Sequence, residues 1–327
     1  MFINLVRFVV CCSFFWSFSF AQAENISVVA TISPIHSLVA GVMQGRGEPH
    51  LLVKGSGSPH TYNLRPSDVR ALNNAHIVFW VGPTLESFLT KTLQGLGEEK
   101  SMMLFNVPGV KPQPNRDLGA WLGDVEEEHG HDDHYHDEAV HDEHGHEAHH
   151  HDHEGMLTDM HVWLDPQNAK AITSAISRKL SALDPDNAAL YQQNATNVLG
   201  RISRLHRGLL RKMKPLRTRA YVVFHDAYHH FEARYGLSPV GAVAVSPDRK
   251  PGAKRLHQIQ QRIKQSATHC LFSEPQFSER IVTAIAGDTG IKSAVLDPLG
   301  TGIKPGPDAY FEIMNALGDS LAHCLGE

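Results

Sequence analysis

Length, composition and charge narrow the classes of protein to which this chain can belong. Its 327 residues exceed the size of one ordinary hydrophobic core and indicate two domains. The net charge of −5 is uneven, because residues 124–154 hold thirteen Asp and Glu and no Lys or Arg, which leaves the remaining chain basic. No Lys/Arg cluster is interleaved with aromatic residues, so the composition does not indicate a nucleic-acid-binding protein.

The first 23 residues have the composition of a secretory signal peptide. Arg7 precedes an apolar run from Phe8 to Phe20, and Ala21-Gln22-Ala23 has the small-x-small pattern of a cleavage site. A membrane anchor is the alternative, but this run is shorter than the ~20 residues that span a bilayer. We therefore predict an exported protein whose mature chain begins near Glu24.

After the signal, short β-branched runs alternate with amphipathic segments, a pattern that is typical of parallel α/β sheets. In a first lobe at 24–184, strands are predicted at 26–32, 49–55, 76–82 and 103–107, and helices are predicted to begin near Pro34, Pro66 and Leu85. Residues 124–154 interrupt this lobe and are too polar to pack into a core, so they are predicted to be a flexible insert. Order resumes at MHVWLDP (160–166), where Pro166 can begin another helix.

A long helix is predicted over residues 185–215. No proline lies between Pro185 and Pro215, and apolar side chains recur at helical spacing, at Leu190, Val198, Ile202, Leu205 and Leu209. One helix of this length would extend about 43 Å and could join two domains rigidly. Two shorter helices broken near Gly200 are the alternative.

The second half repeats the pattern of the first. Strands are predicted at 220–226, 238–245, 269–275 and 293–299, each followed by a helical stretch. Residues 216–327 are therefore predicted to be a second lobe, which gives two α/β domains of four strands each.

Only two cysteines, Cys270 and Cys324, follow the signal. An even pair in an exported chain favours a disulfide, which would close a loop over a sequence separation of 54 residues. In the chain-entropy model such a closure contributes roughly 4 kcal/mol. Two unpaired buried thiols are the alternative.

Three of the twelve histidines outside the signal and the insert differ from the others in position. His60 lies in a Gly/Ser/Pro-rich turn after a strand, His225 ends a β-branched strand, and His161 opens the ordered segment after the insert. Ligands of open parallel sheets bind at the carboxyl ends of strands, where Asp297 also lies as a possible fourth ligand or as a partner that orients a histidine. Three imidazoles with an open or oxygen-donor position suit Zn²⁺.

The insert itself holds eleven histidines and eight carboxylates between residues 129 and 153. We interpret it as an auxiliary, weaker metal collector, because binding would first have to order a solvated chain. A spacer without a metal role is the alternative. The histidines are His129, His131, His134, His136, His141, His144, His146, His149, His150, His151 and His153.

Several longer motifs follow one another along the chain. They are GSPHTYNLRPSDVRALNNAHIVFWVGPTLESF, the acidic His-rich insert, MHVWLDP, YVVFHDAYHHFEARYGL, SEPQFS and LDPLGT. In this order they resemble the ZnuA-type periplasmic zinc-binding proteins of ABC importers. The resemblance covers essentially the whole chain after the signal.

The resemblance implies two (β/α)4 lobes joined by a long rigid helix, with one Zn²⁺ in the cleft between them. The family's ligands fall on His60, His161 and His225, and relatives that carry manganese or iron usually place a carboxylate at the last position. Some members have a Glu before the first ligand. This chain has Pro59 there, so the fourth donor is expected to be Asp297, as in many relatives, or water. The family's cysteine pair near the C-terminus also matches.

Three functions compete at this level. The first is a monomeric zinc-binding protein of the periplasm that delivers the ion to a membrane permease without catalysis. The second is a secreted zinc hydrolase, although the chain has no HExxH motif and no Gly-x-Ser-x-Gly elbow. The third is a metal buffer or adhesin in which the insert itself binds the ion.

Overall fold

The computed structural model describes residues 26–116, 158–244 and 250–326. The predicted signal peptide (1–23) and the predicted acidic insert (124–154) lie outside the described residues. None of the helices in the described part of the chain combines the length and the apolar character needed to cross a bilayer.

The first sheet has four parallel strands, and its sequence alternates between two apolar layers. The strands are β1 Val28–Ala30, β2 His50–Leu51, β3 Ile77–Trp80 and β4 Ser101–Met103, and their order is β2-β1-β3-β4. Ile77 and Phe79 join one hydrophobic cluster, while Val78 and Trp80 join another on the opposite face. Because both faces are covered, the central strands β1 and β3 are apolar along their length. The helices are α1 Ser33–Val42, α2 Pro66–Asn74, α3 Thr90–Leu96 and α4 Pro166–Leu183.

The predicted strand at 103–107 is wrong in its position, since β4 ends at Met103. Leu104 N–H still donates to the Trp80 carbonyl at 2.8 Å. The chain then turns, and Val107 N–H donates back to Leu104 O. Leu104 and Val107 are both buried in this turn. A buried turn therefore carries the apolar spacing that the sequence pattern attributes to a strand.

A short antiparallel ribbon marks where the chain leaves and re-enters the described structure. It pairs β5 Gln113–Pro114 with β6 Thr158–Asp159. The two ends of the undescribed segment 117–157 are therefore adjacent.

The second sheet repeats the arrangement of the first. Its strands are β7 Ala220–Val223, β8 Ser238–Ala242, β9 Cys270–Ser273 and β10 Lys292–Val295, parallel and in the order β10-β9-β7-β8. The helices that follow these strands are α6 His229–Tyr235, α7 Ala253–Gln265, α8 Glu279–Thr289 and α9 Ala309–Leu325. The prediction of two four-stranded α/β lobes is thus confirmed.

The predicted linking helix is one continuous element. The α-helix α5 spans Ala188–Met213, passes through Gly200 without a break, and is extended at each end by a short 3-10 turn. Of the apolar positions that indicated this helix, Leu190 is 37% exposed, while the adjacent Tyr191 is fully buried. The larger aromatic ring occupies the core side of the helix there.

Two glycines let α5 approach a helix from each lobe. A Cβ at Gly41 of α1 would lie 2.8 Å from Val198 Cγ2, and a Cβ at Gly318 of α9 would lie 2.5 Å from Leu209 Cδ2. Both distances are shorter than real Cβ contacts, so a side chain at either position would force Val198 or Leu209 to shift. The linking helix is consequently packed closely against both lobes, within one continuous hydrophobic cluster.

The predicted disulfide between Cys270 and Cys324 is confirmed. It joins the first residue of β9 to α9, with a Cα–Cα distance of 6.1 Å and a sequence separation of 54 residues. Both cysteines are buried, so the alternative of two free thiols is wrong. The bond attaches the C-terminal helix to the centre of the second sheet.

Candidate metal centre

Three loops bring three imidazoles together between the lobes. His60 lies in the loop after β2, His161 follows β6, and His225 lies two residues after β7. The ring centroids are 5.4–5.8 Å apart, and one ligand nitrogen of each ring lies within 4.8 Å of the others. Among the residues that the structure describes, this is the one group of three or more His, Cys, Asp or Glu side chains so arranged.

His161 is oriented by a carboxylate of its own loop. Asp159 Oδ1 accepts hydrogen bonds from the His161 backbone N–H (2.9 Å) and from ring atom Nδ1 (2.6 Å). Burial alone would raise the pKa of Asp159, but the charge of the His161 imidazole and these hydrogen bonds hold it below its ordinary value. The ionised carboxylate keeps the proton on Nδ1, which leaves the Nε2 lone pair for a metal.

His225 is oriented in the same way by a carboxylate from another strand end. Glu274, which follows β9 and is 2% exposed, accepts from His225 Nδ1 at 2.6 Å and from its backbone N–H at 3.2 Å. Burial lowers the pKa of His225, but the charge and hydrogen bond of Glu274 outweigh it, so the pKa is raised. His225 Nε2 is buried and has no hydrogen-bond partner among the described residues. A buried nitrogen without a partner is a costly arrangement unless a ligand occupies it.

His60 differs because no carboxylate of the described residues forms a hydrogen bond with its ring. Its backbone N–H donates to Ser58 Oγ (3.3 Å), and burial together with the neighbouring His161 and His225 holds its pKa well below the ordinary value. A neutral imidazole is the form that binds a metal, so His60 is ready to bind at neutral pH.

Apolar side chains enclose the three imidazoles. The Trp163 ring lies 5.3 Å from that of His161 and donates its Nε1–H to Pro298 O (3.0 Å), which ties the two lobes together. The Phe277 ring lies 5.3 Å from that of His225. Pro59 and Leu299 complete the wall. This apolar surrounding lowers the local dielectric constant and strengthens the electrostatic interactions of a bound cation.

Comparisons with known proteins agree with this fold. The family model described as "ZnuA: Zinc-uptake complex component A periplasmic" matches residues 28–324. The chain belongs to the ZnuA family. It is 42% identical to the high-affinity zinc uptake system protein ZnuA of Brucella suis, over 93% of both chains.

Solved structures of the ZnuA type share the fold. A crystal structure of ZnuA aligns with a TM-score of 0.71 and 23% identity, over 92% of this chain and 99% of that one. The periplasmic zinc-binding protein TroA from Treponema pallidum aligns with a TM-score of 0.74 and 19% identity, over 92% and 99% of the two chains. The predicted architecture of two lobes joined by a long helix is therefore confirmed.

Asp297, the predicted fourth ligand, is occupied elsewhere in this structure. Its Oδ1 accepts from Gln276 Nε2 (2.8 Å) and from the backbone N–H groups of Leu299 and Gly300 (both 3.0 Å), while Oδ2 accepts from Thr301 N–H. It does not belong to the group of three histidines. In this chain of the ZnuA family, Asp297 caps the loop that carries Leu299 toward the metal centre.

The sequence pattern did not predict the roles of two carboxylates, Asp159 and Glu274. Asp159 is the last residue of β6 and Glu274 directly follows β9, so their position at strand ends was the available signal. The eleven histidines of the insert lie outside the described residues, so their role stays a prediction. Of the remaining histidines, His36 illustrates a structural role, since it is buried in α1 with Nε2 at 2.9 Å from Pro49 O.

Proposed function

We propose that this chain captures Zn²⁺ in the periplasm through His60, His161 and His225 and delivers it to the membrane permease of an ABC importer. The single observation that carries the proposal is the convergence of three imidazoles from both lobes, with a buried and unpartnered Nε2 on His225. Membership of a family of zinc-uptake components supports a binding function over the secreted hydrolase. Export through a cleavable signal at residues 1–23 and a monomeric state belong to the same proposal.

The donor set favours zinc over harder cations. Calcium and magnesium prefer oxygen ligands, whereas three neutral imidazoles suit zinc, which accepts a tetrahedral shell of nitrogen donors. The nearby carboxylates, Asp159 and Glu274, each use an oxygen on the Nδ1–H of a histidine. They therefore support the ligands and do not convert the site into one suited to manganese or iron.

Water is the fourth ligand in this proposal. Asp297 could bind the metal only by giving up hydrogen bonds to backbone N–H groups of its own loop. A water molecule would complete a tetrahedral shell without that cost.

The division of ligands between the lobes suggests how the ion is released. His60 and His161 belong to the first lobe, and His225 belongs to the second. A small displacement of the second lobe would remove one of three protein donors, which weakens zinc binding without unfolding either lobe. Docking on a permease would supply such a displacement.

A crystal structure of the zinc-loaded protein, with anomalous scattering measured on both sides of the zinc absorption edge, tests the proposal. We expect one strong anomalous peak bonded to the Nε2 atoms of His60, His161 and His225 and to a water molecule. A peak located elsewhere, with these three rings unbound, would refute the assignment.

A further inference from the structure

The linking helix carries four exposed cations on one side. Arg204, Arg207, Arg211 and Lys214 follow one another at intervals of three or four residues, which places them on one face of α5 and of the turn after it. We call these four residues the basic stripe. No Asp or Glu occurs between residues 187 and 225, so the helix itself offers no counter-charge.

Other cations of this helix are paired, and the basic stripe is not. Arg201 forms an ion pair with Asp308, and Lys212 forms one with Asp319, both at the side of α5 that faces α9. Within the described part of the chain, no acidic side chain lies within ion-pair distance of the basic stripe. These four charges are therefore available to an external or undescribed partner.

The surface around the basic stripe is electropositive and open. Burial lowers the pKa of His206, and of the charges around it those of Arg234, Lys170 and Arg207 lower it while that of Asp165 raises it. A Cβ at Gly208 would have no atom within 4 Å, so a chain can approach the helix backbone there. An extended acidic segment fits such a surface.

The undescribed segment 117–157 begins at a residue that contacts α6. Arg116, the last residue before it, forms ion pairs with Asp226 and with Glu232 of α6. Three residues further along α6, the Tyr235 hydroxyl lies 3.3 Å from His206 Nδ1 on the linking helix. The helix α6 therefore contacts both the start of the segment and the helix that bears the basic stripe.

We propose that the basic stripe is a docking surface for this chain's own acidic insert, residues 124–154. The insert carries thirteen carboxylates and no Lys or Arg, so its charge is complementary to that of the stripe. Half of the 41-residue segment can extend roughly 70 Å, which is ample for contact. Because the insert is tethered, its effective concentration is on the order of millimolar, which favours it over a free acidic partner. This inference does not depend on zinc binding.

Paramagnetic relaxation tests the contact in the full chain. A nitroxide is attached to the variant Ala139→Cys without reductant, so that the Cys270–Cys324 bond persists. We expect backbone amide signals of residues 204–214 to lose at least half of their intensity relative to the reduced label. The loss should be reversed at about 0.5 M NaCl, because the Debye length then falls to roughly 4 Å. Uniform weak broadening over the whole surface would overturn the proposal.

Two matched variants separate the basic stripe from general positive charge. Replacement of its four members by Gln should remove the broadening at 204–214. The control replaces four exposed cations of the α7–α8 surface by Gln, namely Lys250, Lys254, Lys264 and Arg280, and should retain the broadening. Broadening that persists without the basic stripe, or that is lost equally in the control, would contradict the proposal. The triple variant Arg204→Lys, Arg207→Lys and Arg211→Lys keeps the charge and should behave as the original chain does.

Vesicles distinguish the insert from a membrane as the occupant. The full chain and a chain lacking residues 126–154 are sedimented with vesicles of phosphatidylcholine and phosphatidylglycerol at low salt. We expect the full chain to stay in the supernatant, because its insert covers the basic stripe. If the full chain bound these vesicles through the stripe as well as the deletion variant does, a lipid surface would be the occupant and our proposal would be wrong.

Discussion

His161 in the first lobe and His225 in the second are held by the same chemistry through different routes along the chain. Each donates its Nδ1–H to a buried carboxylate at 2.6 Å. Asp159 precedes His161 by two residues, whereas Glu274 follows His225 by 49 residues and reaches it across neighbouring strands of the second sheet. One ligand is thus oriented by its local loop and the other by the assembled sheet. The partner that orients a metal ligand can therefore lie next to it in the sequence or far from it, even when the hydrogen bond is the same.

The largest expected effect comes from removing a ligand. Replacement of His60, His161 or His225 by Ala, one at a time, should lower zinc affinity at least about tenfold, because a shell built from three protein donors cannot replace one of them. Competition titration with a chromophoric zinc chelator measures the affinity.

The control for these variants is His36→Ala, which changes a buried histidine outside the group. It should alter stability more than affinity. Wild-type zinc affinity in any two of the three ligand variants would refute the assignment of His60, His161 and His225 as the ligands.

Acidification should weaken zinc binding by about tenfold or more between pH 7 and pH 5. A proton on Nε2 excludes the metal, and the raised pKa of His225 makes this ring the first of the pair His60 and His225 to be protonated as the pH falls. His60, with its lowered pKa, stays neutral to lower pH. Calorimetric titrations at several pH values measure the change, and an affinity that is flat over this interval would argue against histidine ligands.

Loss of an orienting carboxylate should have a smaller effect than loss of a ligand. Asp159→Asn and Glu274→Gln should each lower zinc affinity about tenfold, since an amide can accept the Nδ1–H hydrogen bond but supplies no negative charge. Equal losses in both variants would show that local and distant orientation are energetically equivalent.

The pH dependence of zinc affinity in the Glu274→Gln variant is a second test of the role of Glu274. Without the carboxylate, burial lowers the pKa of His225, so protons compete with zinc only at lower pH. The acid limb of its affinity curve should move downward in pH relative to the original chain. Movement in the opposite direction would contradict the assigned role of Glu274.

Deletion of residues 126–154 should leave the tight site intact. The three ligand histidines and their two orienting carboxylates all lie outside the insert. We expect one tight zinc equivalent to remain and the weaker additional equivalents to disappear from the calorimetric titration. If the deletion removed the tight equivalent from a folded protein, the insert would be the primary site.

Among the single substitutions, the smallest expected effect on affinity comes from Asp297→Asn. If Asp297 only caps its loop, zinc affinity should stay within about twofold, while unfolding becomes easier by about 1–2 kcal/mol through weakened hydrogen bonds. Thermal unfolding and zinc titration of the same sample separate the two effects. A tenfold loss of affinity with unchanged stability would identify Asp297 as a ligand.

The sequence predicted helices and strands correctly where the local pattern of apolar residues reflects their burial. The alternation in β3 places Val78 and Trp80 on one face and Ile77 and Phe79 on the other, and both faces are apolar because both are covered. The prediction at 103–107 failed because buried turn residues have the same apolar character as strand residues. At the start of α5, Tyr191 takes the core position and the neighbouring Leu190 is partly exposed.

By itself, the sequence determined the residue types of the metal centre, the two α/β lobes, the continuous linking helix and the pairing of the two cysteines. Periodicity and strand ends report the lobes, the helix and the ligand types because these patterns arise within a few neighbouring residues, whereas the cysteine pairing follows from an even count in an exported chain. Only the tertiary structure decided that Glu274 supports His225, that Asp297 caps a loop, and that Gly41 and Gly318 admit the linking helix. Except for the local cap of Asp297, these contacts join residues far apart in the chain, and their geometry exists only after the sheets and helices have packed.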